Sequence, residues 1–108
     1  MARMIGVVMV AAVCAASVEA QAQETGSVSQ GLVTAEERCA GCHGVARGAD
    51  YSPTFGAPTF EQIALTPGMT AIALSATLKT SHRTMPNLMM SSDDLANITA
   101  YVLSLRSD

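Results

Sequence analysis

The sequence predicts an all-α chain whose helices are joined by long loops. Three observations carry that expectation. Apolar residues recur at helical spacing in two stretches, at Val28, Leu32, Ala35 and Cys39 and again at Leu95, Ile98, Val102 and Leu105, positions that share one helix face. Capping residues stand in front of two further segments, at Thr59 and Thr70, and Ser91 stands in front of the second of those stretches. Between these lie intervals punctuated by Gly and Pro with no apolar period, and no strand-like alternation surrounds the Cys39 and Cys42 pair.

Taken in order, the chain opens on a segment unlike the rest. Arg3 supplies a positive start, Met4 to Ser17 is a weakly polar-to-apolar run, and Ala20-Gln21-Ala22 offers a small-x-small exit, so residues 1–22 are expected to be a cleaved secretory signal. Val18-Glu19-Ala20 is a second exit pattern. The run is about 14 residues long, short of the ~18 or more of a spanning helix, so no stable membrane insertion is expected after cleavage. Cys14 leaves with the signal, and the bulky Val13 before it does not suit a lipid-attachment site. Residues 23–108 then form one domain with two cysteines, Cys39 and Cys42, and the export route points to the periplasm or an equivalent oxidising space.

Within that domain, 23–27 is a polar lead-in and the first helix starts at Val28 and runs into Cys39. Gly31 lies on its apolar face. A glycine inside a helix costs about 1 kcal/mol against Ala, so its use here is to let another helix cross closely. Gly44 to Ala57 reads as loop, and Thr59 with Gln62 three positions on makes a capping box for a short helix through Ala64. Pro67-Gly68 breaks that helix. Thr70 caps a third one with the stripe Ala71, Leu74 and Leu78; Thr80 to Ser91 is irregular; and Ser91 with Asp94 opens a last helix carrying Tyr101 on its flank.

The expected domain, about 86 residues with no Trp, two Phe and two Tyr, is small for a self-sufficient core, and domains of that size depend on a staple. Its net charge of −3 argues against nucleic acid as a partner. The staple is written in Cys39-Ala40-Gly41-Cys42-His43. Two thiols three positions apart followed by an imidazole form the attachment signature of a c-type haem, in which each sulfur adds across a vinyl group and the histidine ligates iron. Residues i and i+3 share one face of a helical turn, so both sulfurs meet one porphyrin edge. A thioredoxin-like redox pair would want a βαβ setting. A zinc site would want more ligands than His82, the other histidine, can add. One covalently bound haem c also supplies the missing core, gives the long loops something to wrap, and leaves the apo-chain largely unfolded.

From about Gly31 to Leu105 the sequence resembles a small class I monohaem cytochrome c, with an N-terminal helix, Cys-x-x-Cys-His, a Pro-bearing loop, a Met-Pro and a C-terminal helix ending in Ala100-Tyr101-Val102-Leu103-Ser104-Leu105. The resemblance implies that the first and last helices cross through Gly31 and Tyr101. It implies that Met85, before Pro86, is the sixth iron ligand beside His43. It also implies that a proline carbonyl holds the His43 ring N–H, with Pro58 first and Pro53 second. The lysine ring of mitochondrial members is absent, and without Trp the propionate contact falls to Tyr51 or Arg47.

Four methionines stand outside the leader, Met69, Met85, Met89 and Met90. Met89 and Met90 read as gap-fillers beside the last helix. Met85 sits on an irregular stretch where backbone and side chain can be aimed. His82 competes with it, in the polar setting of Ser81 and Arg83. With both axial positions closed, substrate cannot reach iron, so the resemblance implies a one-electron carrier rather than an enzyme. It would pass electrons from a dehydrogenase to an oxidase or other terminal acceptor. An open or weakly held sixth position would instead suit a gas sensor or peroxidase-like chemistry.

Overall fold

The computed structural model describes residues 26–80 and 84–106. Among the described residues four helices follow one another: α1 at Val28–Arg38, α2 at Phe60–Ala64, α3 at Ala71–Lys79 and α4 at Ser92–Ser104. Among the described residues there is no strand, and no helix is long and apolar enough to cross a membrane. Residues 1–22, on which the signal reading falls, lie outside the described residues, as does His82.

Each helix starts where a side-chain oxygen can take an otherwise unpaired backbone N–H. The Ser27 hydroxyl accepts from the Gln30 N–H at 3.2 Å, Thr70 from Ala73 at 3.1 Å and Ser91 from Asp94 at 3.1 Å. At α2 the capping box closes in both directions: the Gln62 N–H donates to the Thr59 hydroxyl at 3.2 Å, and the Thr59 N–H donates to Gln62 Oε1 at 2.9 Å. Asp93 and Asp94 occupy the first turn of α4, where the helix dipole favours a carboxylate. Ser27 is a cap the sequence reading left as lead-in. On α3, Leu74 is buried and Leu78 packs against the core, but Ala71 is exposed. It stands at the first helical position, before the stripe turns inward.

The frame is the crossing of α1 and α4. A Cβ on Gly31 would overlap the Asn97 carbonyl of α4 and come within 2.7 Å of Tyr101 Cβ, so only glycine lets the two backbones approach this closely. The Ser27 N–H donates to Asn97 Oδ1 at 2.8 Å, pinning the entry of α1 to the same turn of α4. Behind the crossing lie Ala35, Phe60, Ala64, Leu74, Ile98, Tyr101, Val102 and Leu105, all buried. Tyr101 lies inside this cluster, and its hydroxyl donates to the Val45 carbonyl at 2.5 Å, so a buried phenol is satisfied while it anchors the loop after the cysteine motif. Beyond α4, Arg106 reaches back, its Nε donating to the Ala64 carbonyl at 2.9 Å and its Nη2 to the Met69 carbonyl. Arg47 donates to the Ser104 carbonyl at 3.0 Å. Both arginines thus tie the end of α4 to loops around the core.

Two substitutions test this frame by denaturant unfolding of the haem-loaded protein. Gly31→Ala gains about 1 kcal/mol of helix propensity, but the atoms it meets are backbone and cannot yield, so overpacking dominates and a net loss of about 2 kcal/mol is expected. Tyr101→Phe leaves the Val45 carbonyl unpaired and is expected to cost about 1–2 kcal/mol. An unfolding midpoint unchanged by Gly31→Ala would show that the crossing is not the constraint described.

Candidate haem site

One cavity of about 460 Å³ opens between the end of α1, α3, α4 and the loops at 54–58 and 84–88. Its walls are mostly apolar, from Ile63, Leu74, Leu78, Ile98 and Val102, and among the described residues that line it outside the cysteine motif Arg38 is the charged one. Cys39, Cys42, His43 and Met85 all line it. The donor set fits an iron porphyrin: two sulfurs on one turn, an imidazole beside them, a thioether on a separate loop and hydrocarbon for the macrocycle.

The motif is a tight turn that follows α1. The Cys42 N–H donates to the Cys39 carbonyl at 3.1 Å and the His43 N–H to the same carbonyl at 2.9 Å. Cys39 is buried and Cys42 exposed. Burial pushes the Cys39 thiol up, Arg38 opposes that and Cys42 adds to it, the opposite direction to the lowered thiols of Cys-x-x-Cys redox pairs.

His43 Nδ1 lies 2.6 Å from the Pro58 carbonyl. A carbonyl only accepts, so Nδ1 carries the proton and the neutral ring keeps its Nε2 lone pair for a metal. Sequence position alone does not bring Pro58 there. The Phe60 N–H donates to the Gly44 carbonyl at 2.9 Å and the Gly44 N–H donates to Ser52 Oγ at 2.9 Å, folding the 44–58 loop back on the motif. A Cβ on Gly44 would come within 2.5 Å of the Tyr51 carbonyl, so this fold also needs glycine. Phe60 stands at 5.6 Å and 52° from the His43 ring and at 6.3 Å and 51° from Tyr101. These tilted contacts link the imidazole to α4.

Not every expected residue reaches the cavity. Pro53 is not on its wall, whereas Pro58 is. Tyr51 is 79% exposed and Arg47 is turned to the end of α4; the structure brings neither of them to the wall. The Gly44 and Ser52 bond, together with the Gly48 N–H donating to Glu61 Oε1 at 2.9 Å, turns that part of the loop outward. Met85 is half-buried on the wall, while Met89 is 89% exposed. Two wall residues escaped the sequence reading. Met69 brings a second thioether, signalled only by its place after the Pro67-Gly68 break. Arg38 adds a guanidinium, signalled only by its place before Cys39.

Comparison with known proteins agrees with this geometry. Residues 28–106 match the family model described as Cytochrome c. The chain is similar to a cytochrome c-552 of Bradyrhizobium diazoefficiens, 33% identical over 101 residues that cover 94% of this chain and 93% of that protein. No solved structure matches the chain. A four-helix frame around an apolar cavity, the Cys-x-x-Cys-His turn on its wall and a match over nearly all the described residues together place the chain in the cytochrome c family, the electron carriers with covalently bound haem c.

Proposed function

We propose that this protein is an exported one-electron carrier in which Cys39 and Cys42 hold the haem and His43 and Met85 close the two axial positions of its iron. The observation that carries the reading is that His43, proton fixed on Nδ1 by the Pro58 carbonyl, and the Met85 thioether share one apolar cavity. Haem bound there supplies a one-electron couple. The chain's part is to hold that couple still. The Pro58 carbonyl orients the imidazole and makes it a better donor, the thioether favours the reduced state relative to a second imidazole, and the apolar walls keep water from the metal. With both positions taken by protein, exchange with partners proceeds at the cavity mouth, where Cys42 is exposed.

The partners in this reading are a dehydrogenase as donor and an oxidase or other terminal acceptor, met in the periplasm after removal of residues 1–22. Support for export comes from the residues themselves: the positive Arg3, the apolar run and the Ala20-Gln21-Ala22 exit.

Absorption spectra of the oxidised protein test the ligand set. The weak long-wavelength sulfur-to-iron band is expected, and Met85→Ala is expected to abolish it and lower the reduction potential. Met69→Leu and His82→Ala are expected to leave both nearly intact. A band that follows Met69, or a spectrum altered by the His82 change alone, would reassign the sixth ligand; no band at all would return the open-site reading of a gas sensor or peroxidase.

Attachment and export are tested on the same preparation. Haem is expected to stay with the acid-acetone-precipitated chain, to add one haem mass, and to become extractable in the Cys39→Ala, Cys42→Ala double variant. N-terminal sequencing is expected to begin at Gln23, or at Gln21 from the second exit. Intact chain in the membrane fraction would favour an anchor.

A further inference from the structure

Arg38 ends α1 and stands on the cavity wall beside Cys39, yet neither attachment nor ligation uses it. Its Nη2 donates to the Met89 carbonyl at 3.3 Å, 51 positions along the chain. Among the described residues from Thr84 to Met90, this is the hydrogen bond that ties the segment to the rest of the molecule. The segment has no regular structure and otherwise rests on the partial burial of Met85, Leu88 and Met90, the last packed against the core. A stretch with so few bonds opens at low cost unless something holds it. The group that Arg38 holds is backbone, because the Met89 side chain is turned to solvent. What the contact fixes is therefore the position of the segment.

We propose that Arg38 is a positioning residue, its guanidinium latching the Thr84–Met90 segment to the end of α1 through the Met89 carbonyl and so holding Met85 in the cavity. The proposal rests on Met85 being the sixth ligand. A thioether is a weaker donor to ferric iron than an imidazole, so its occupancy depends on how firmly its loop is kept in place. A charge-assisted bond from a planar fork suits that task better than a neutral donor.

The test uses the oxidised, haem-loaded full chain titrated with imidazole, which binds iron only when Met85 has left. Arg38→Met keeps length and removes the donors, and Arg38→Lys restores a charged donor. If the segment opens more often, the apparent imidazole affinity of Arg38→Met rises in proportion, by about fivefold for a bond of this class. Arg38→Lys is expected to keep part of the effect. In a Met85→Ala background, where nothing is left to displace, Arg38→Met is expected to change nothing. Thermolysin cleavage before Leu88, Met89 or Met90 gives a second readout that does not depend on the iron ligand, and Arg38→Met is expected to speed it. Imidazole affinity unchanged by Arg38→Met, while Met85→Ala raises it, overturns the latch. An equal gain in the Met85→Ala background also overturns it, because Arg38 would then act on the haem itself. If Met85→Ala binds imidazole no more tightly than the unaltered protein, the ligand reading fails instead. The latch then stands or falls on the thermolysin rate alone, faster cleavage keeping it and an unchanged rate removing it.

Discussion

The hydrogen bond from His43 Nδ1 to the Pro58 carbonyl is the contact on which the rest of the site depends. It joins the turn after α1 to the far end of a loop 15 positions away and fixes the tautomer, leaving one nitrogen for iron. It also draws α2 into place, because Pro58 leads directly into the Thr59 cap and Phe60, whose ring then packs against both His43 and Tyr101. One carbonyl thereby couples the His43 imidazole to the core. Such coupling matters in a carrier, whose environment should change little between oxidation states.

The helices supply the stiffness behind that bond. α1 and α4 are locked at Gly31 and Asn97, and the loop after the motif is sealed to α4 where Tyr101 donates to the Val45 carbonyl, so the motif at the end of α1 is held against a fixed partner. The wall that carries Met85 is built differently. It is a segment without regular structure that carries Met85, and its tie to α1 runs through Arg38. The walls that carry His43 and Met85 are thus held unequally, one braced by a helix crossing and an aromatic ladder, the other by a loop and a guanidinium.

Much of the fold was legible because its signals are local. Thr59 and Gln62 announce α2 within four residues, Ser91 and Asp94 announce α4, and the stripe from Leu95 to Leu105 shows which face is buried. The Cys-x-x-Cys-His turn was legible because its chemistry demands that spacing. What stayed hidden depends on contacts between distant positions. The course of the 44–58 loop is set by Gly44 meeting Ser52 and Phe60, so the resemblance could only rank Pro58 ahead of Pro53, and no residue showed that Tyr51 and Arg47 stay off the cavity wall. Arg38 stayed hidden for a sharper reason: its partner is a backbone carbonyl, which every residue has and no sequence displays.

We propose that the thioether of Met85, on the wall of the same apolar cavity as His43, closes the iron site. Nuclear magnetic resonance of the reduced protein labelled at its methionine methyls addresses it most directly, because a methyl held over the porphyrin face is shifted far from the others by the ring current. One such shifted methyl is expected, lost in Met85→Ala, with Met69, Met89 and Met90 in the ordinary range. A shifted methyl that belongs to Met69, or none at all, would contradict it.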